Sequence, residues 1–108
     1  MGKARPIINK VLSLNDERFE AHIRVFEVPT CQKFPMGYKV SCSLIEKGTG
    51  VLLVLLDNHE PYGYHLHTKL PEDKHFRSSV NVKNYNEAID LFFAEVTKIQ
   101  IKKVQNEK

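Results

Sequence analysis

The chain has no tryptophan and only two cysteines, Cys31 and Cys42. With no CxxC spacing, neither a disulfide framework nor a cysteine-based zinc site is expected. Cys42 falls in an alternating apolar segment and reads as a small buried hydrophobe. Cys31 reads as a loop thiol, because a nucleophilic cysteine needs a basic neighbour that the linear sequence does not show. Long hydrophobic runs are also missing: the longest, Gly50 to Leu56, falls far short of the roughly 20 residues a membrane helix needs. The start, Met1-Gly2-Lys3-Ala4-Arg5, leads into no signal-peptide core, and Pro6 stands where a myristoylation signal would carry Ser or Thr. No membrane association is expected, and a cytoplasmic location is the default.

Charge of one sign does not dominate either, since 16 Lys and Arg face 13 Asp and Glu for a formal net charge of +3. The basic residues instead gather at the ends, with Lys3, Arg5 and Lys10 at one and Lys98, Lys102, Lys103 and Lys108 at the other. Such ends read as solvated tails that keep a small protein soluble, with phosphate contact as the alternative. The 108 residues fit a single domain, 1–108, with basic flexible ends at about 1–6 and 104–108. They are too few for a separate cofactor-binding half, so no cofactor is expected. A hydrophobic fraction of 42%, rich in Phe, Tyr, Ile, Leu and Val, excludes a disordered polymer.

What is present is alternation, the period-two signature of half-buried strands. Ile7 to Leu14 fits a short strand or a helical turn, of which the strand is favoured, and Asn15 to Arg18 reads as a turn. From Phe19 to Val28, Phe19, Ala21, Ile23 and Val25 share one side, while Glu20, His22 and Arg24 share the other. Pro29 to Gly37 is a proline-bounded loop. Tyr38, Val40, Cys42 and Leu44 then alternate with Lys39, Ser41 and Ser43, and Glu46 to Gly50 carries turn chemistry for a hairpin. Its return strand, Val51 to Leu56, is apolar at every position, which predicts a central strand covered on both faces for part of its length. After a turn at His59-Glu60-Pro61, Tyr62, Tyr64 and Leu66 alternate with Gly63, His65, His67 and Lys69.

Everything after Leu70 changes character. Asn84-Tyr85-Asn86-Glu87 resembles a capping box, and Tyr85, Ile89, Phe92, Phe93, Val96 and Ile99, extended by Val104 and the stem of Lys103, form one stripe at helical spacing. The predicted architecture is therefore α+β, an antiparallel meander sheet of four to five strands with a C-terminal amphipathic helix packed on one face.

The opposite face would gather Glu20, His22, Arg24, Lys39, Ser41, Ser43, His65, His67 and Lys69, and there the histidines would be accessible. Along an extended strand, His65 and His67 stand about 7 Å apart on one surface. Three readings follow. The pair could perform metal-independent RNA cleavage, one imidazole removing a proton from the 2′-hydroxyl and the other protonating the leaving oxygen. Lys39 or Arg24 would then stabilise the developing charge, with Ser41 and Lys69 as further substrate contacts. The pair could be half of a metal site completed by Asp57 or His59. It could also be an ordinary solvated sheet face.

Several segments in order, Val25-Phe26-Glu27-Val28-Pro29, Tyr38-Lys39, Leu56-Asp57-Asn58-His59, Gly63-Tyr64-His65-Leu66-His67 and the amphipathic stretch from Tyr85 to Val96, resemble the toxin component of TumE-type toxin–antitoxin pairs. The resemblance runs from about Arg18 to Ile99, and its most specific element is the Asp-Asn turn followed by the His-x-His strand. It departs at Tyr64 and Leu66, where family members often carry a charged residue beside or between the histidines. It implies a small intracellular toxin acting on RNA or the translation machinery, neutralised by a helix-turn-helix antitoxin. His65, His67 and Lys39 would be the catalytic group of an endoribonuclease, with Asp57, Asn58 and His59 orienting the turn. The alternative is a non-catalytic module that docks a protein or nucleic acid, and an exposed edge strand could pair two copies into a homodimer.

Overall fold

The computed structural model describes residues 4–14, 17–58, 63–68, 70, 72–73 and 76–106, with side chains described as far as Ile99. Six strands, β1 (Arg5–Leu14), β2 (Phe19–Glu27), β3 (Tyr38–Glu46), β4 (Val51–Asp57), β5 (His65–His67) and β6 (Ser78–Ser79), precede one helix, α1 (Tyr85–Asn106). The strands pair in chain order, every neighbour antiparallel, as one meander. The expected α+β architecture is thus present, with β6 added. Two serines with no apolar alternation gave no sign of that short strand, which exists because Ser78 and Ser79 pair with Leu66 and His65.

Register follows the period-two pattern. Ile23, Cys42, Leu56 and Leu66 lie opposite one another across four strands. All four are buried, together with Phe19, Ala21, Val25, Val40, Leu44 and Val54. Against this face α1 inserts Ala88, Phe92 and Val96, with Tyr85, Ile89, Phe93 and Ile99 partly buried at the margins. The stripe read from the sequence is therefore the packing stripe, centred one residue off, on Ala88, while Lys103 and Val104 lie outside the described side chains. The helix begins where expected: the Asn84 Oδ1 accepts from the Glu87 amide at 3.0 Å. Glu87 reaches back one residue further than a capping box would, its Oε1 accepting from the Lys83 amide at 2.9 Å.

Burial of Cys42 pushes its thiol up to about 12, so the side chain is inert packing, whereas Cys31 is exposed. Arg5 and Pro6, expected in a flexible end, instead belong to β1, where Arg5 pairs with Glu27 in register and by a 2.8 Å ion pair. β4 is half-buried or buried throughout, as its unbroken apolar run predicts. Gly50, at φ 71°, closes the β3–β4 turn with its amide on the Glu46 carbonyl at 2.8 Å. Among the described residues, no helix is long and apolar enough to cross a membrane.

Candidate functional site

The polar side chains assemble through the same register. One row crosses the sheet as Asn9, Arg24, Ser41, Asp57, His65 and Ser79, and the next carries Val11, His22, Ser43, Leu55 and His67. Parity places both rows opposite the face that α1 covers. Arg24, Lys39, Ser41, His65 and His67 therefore share a face as expected, joined by Asp57, which the sequence offered as a turn residue or as a third metal ligand. Glu20, His22 and Arg24 continue the polar line along β2, with His22 hydrogen-bonded to Glu20 and its Nδ1 3.3 Å from the Arg24 guanidinium. His59 and Lys69 lie outside the described residues.

The histidines themselves correct an expectation. They sit on the predicted face but are not accessible: His65 is 1% exposed and His67 8%. The sequence showed only the parity of the strand. It gave no sign of β6, whose Ser79 pairs with His65, nor of the segment before it, whose Phe76 and Arg77 act on His67. Neither ring is open to direct contact from solvent, and of Asp57, His65 and His67 it is Asp57, with 21% of its side chain exposed, that is most accessible.

His65 is held from both sides. Its Nδ1 lies 2.7 Å from the Gly63 carbonyl and its Nε2 3.0 Å from the Asp57 carboxylate. The Gly63 carbonyl is an acceptor, so the Nδ1–H donates to it, and Nε2 turns toward the Asp57 carboxylate. His67 packs edge-on against His65, with ring centroids 5.1 Å apart. Burial above all, and then His65 and Arg77, hold its pKa below the usual 6.5 for histidine, while Asp57 and a hydrogen bond to the Phe76 backbone work the other way. Its Nδ1 is buried with no hydrogen-bond partner among the described residues. By elimination the Phe76 contact falls on Nε2, which leaves Nδ1 as the buried nitrogen without a partner among the described residues.

Asn58 orients the end of β4, although not through the turn. Its Oδ1 accepts from the Val40 amide and its Nδ2 donates to the Tyr38 carbonyl, each at 2.9 Å. The side-chain amide thus extends the β3–β4 ladder by one peptide-like rung and fixes the backbone beside Asp57. Two adjoining hollows open on the polar face. One, of about 280 Å³, is lined by residues including Lys33, Phe34, Lys39, Ser41, Asp57 and Asn58. The other, of about 340 Å³, is lined by Asn9, Arg24, Phe26, Lys39 and Ser41. Lys39 and Ser41 border both.

No protein-family model matches the chain, and no curated protein or solved structure is significantly similar to it. The site has to be read from its own chemistry.

That chemistry is a strip of cationic and hydroxyl side chains ending on a carboxylate backed by a buried imidazole. Arg24 and Lys39 are exposed and offer positive charge at the rim. Volumes near 300 Å³ lie at the small end of ligand pockets. Lys33, Asn9 and Phe26 were not anticipated. Phe26 breaks the alternation on β2, and the proline-bounded loop gives no periodicity from which Lys33 could be placed.

Proposed function

We propose that this protein is an RNA-directed toxin of a toxin–antitoxin pair and that the polar sheet face both binds and cleaves RNA. The observation that carries the reading is the cross-sheet row Arg24, Ser41, Asp57 and His65, with Lys39 beside it on the face away from the helix. Arg24 and Lys39 hold the phosphate, and Ser41 donates a hydrogen bond to it. Asp57 takes the proton from the ribose 2′-hydroxyl as that oxygen attacks phosphorus. Lys39 offsets the charge on the non-bridging oxygens and protonates the departing 5′-oxygen. His65 positions the Asp57 carboxylate and does not touch RNA, so the acid–base pair lies one layer further out than two accessible histidines would have placed it. The resemblance to TumE-type toxins supports a helix-turn-helix antitoxin as the partner that neutralises the toxin.

A second reading, a binding module without chemistry, is favoured by one observation, the near-complete burial of both histidines. A single comparison separates the two. Wild type, Lys39→Ala and Asp57→Asn are expressed without antitoxin, growth is followed, and each purified protein is incubated with RNA. The expected result is growth arrest and RNA cleavage by wild type, with either variant slowed about 100-fold, the lower range for loss of a general acid or base. If wild type leaves RNA intact yet binds it with an affinity that Lys39→Ala weakens, the binding module replaces the nuclease.

A further inference from the structure

We propose that Asp57, His65 and His67 form a binding site for one divalent transition-metal ion, with Zn²⁺ the best fit. One carboxylate oxygen and one nitrogen from each imidazole lie within 4.8 Å of one another. The Asp57–His65 edge is already 3.0 Å. Ligand atoms around a tetrahedral Zn²⁺ at about 2.0 to 2.1 Å stand roughly 3.3 Å apart, so small side-chain rotations close the triangle.

Three features separate this cluster from a chance grouping of polar residues. First, the Nδ1 of His67 is buried without a hydrogen-bond partner among the described residues, on a ring that is 8% exposed. A desolvated lone pair costs about 1 to 3 kcal/mol when nothing fills it. Second, the rear nitrogen of each ring is engaged by backbone: His65 Nδ1 by the Gly63 carbonyl at 2.7 Å, and His67 by Phe76. A backbone carbonyl behind each imidazole is the outer-shell arrangement that fixes the tautomer and aims the opposite nitrogen at a metal. Third, Nε2 of His65 and the Asp57 carboxylate already converge to 3.0 Å, so two of the three ligand atoms are brought together by the fold. Two nitrogens and one carboxylate oxygen suit Zn²⁺ and its neighbours and disfavour Mg²⁺ or Ca²⁺, which require oxygen ligands. The ion takes one carboxylate oxygen of Asp57 and leaves the other free for proton transfer, and three protein ligands leave a fourth position. Asp57 also lines the hollow that holds Lys39 and Lys33, so water or a phosphate oxygen would reach that position from the basic side.

The test uses the purified full chain after chelator treatment, with no RNA present, so its outcome is independent of the nuclease reading. Zn²⁺ is added while the imidazole nitrogens are followed by ¹⁵N NMR, and Co²⁺ is added in parallel to read coordination geometry by its visible absorption. The expected result is saturation at one ion per chain, with Nε2 of His65 and Nδ1 of His67 shifting together, tetrahedral-type Co²⁺ bands, and no competition from Mg²⁺. In folded His67→Gln and Asp57→Asn chains, Zn²⁺ binding weakens by at least about 100-fold, the upper end of what losing an outer-shell partner alone costs. The wild-type ring shifts keep the test valid should a variant not fold. Unshifted His65 and His67 rings at one equivalent of Zn²⁺, or equal uptake by both variants, would overturn the proposal.

Discussion

Asp57→Ala is the most informative single perturbation of the site. The substitution removes the acceptor 3.0 Å from Nε2 of His65, on a ring 1% exposed, and leaves that nitrogen facing an alanine methyl group. Leaving a buried polar group unmatched costs about 1 to 3 kcal/mol, and breaking a fully buried ion pair about 3 to 5. Because 21% of the Asp57 side chain reaches solvent, water partly replaces the lost carboxylate, which places the expected loss at about 2 to 3 kcal/mol. For a domain of this size each kcal/mol moves the melting temperature by roughly 4 °C, so a fall of about 8 to 12 °C is expected. Urea and thermal denaturation are run with a chelator, so that metal linkage does not add to the difference. Asp57→Asn keeps an acceptor oxygen at the same place and loses about 1 kcal/mol. If Asp57→Ala changes stability by less than about 0.5 kcal/mol, a typical surface value, the coupling between Asp57 and His65 does not exist as described.

Three further outcomes are expected. Burial holds the pKa of folded His67 below its unfolded value of 6.5, so the unfolded chain binds more protons between those two values. Stability is therefore fully present above about pH 6.5 and falls as pH drops toward the folded pKa, and a denaturation series should show this slope flattened in His67→Gln. Asn58→Ala removes two 2.9 Å hydrogen bonds to the β3 backbone and should lower urea stability by about 1 to 3 kcal/mol, leaving the Val40 amide and Tyr38 carbonyl to find water. A thiol reagent should modify Cys31 in the native state and Cys42 only after denaturation; equal rates would contradict the buried, proton-retaining state of Cys42.

Much of this arrangement was legible in the residues. Alternation in Phe19 to Val25 and Tyr38 to Leu44 set which side chains face the helix, because a strand has only two faces and one of them must be apolar. The same parity put His65 and His67 with Arg24, Lys39 and Ser41. It could not say how deeply they are buried, since the two-residue strand at Ser78–Ser79 that flanks them is defined by its partner and not by its own sequence. The role of Asp57 was half visible. Its place after an apolar strand marked a turn, but its pairing with His65 depends on β4–β5 register, which no local pattern encodes. Asn58 likewise read as a turn residue, while its side chain completes a ladder 18 and 20 residues away in sequence.

The central claim, that RNA meets the sheet face carrying Arg24, Ser41 and Asp57, is tested most directly by backbone amide NMR on adding a short single-stranded oligoribonucleotide at low salt. The account predicts shifts concentrated at Arg24, Lys39, Ser41 and Asp57, with the α1 amides from Tyr85 to Ile99 unmoved, and loss of those shifts in Lys39→Ala. Shifts confined to α1 or the outer edge of β1, or none at all, would contradict it.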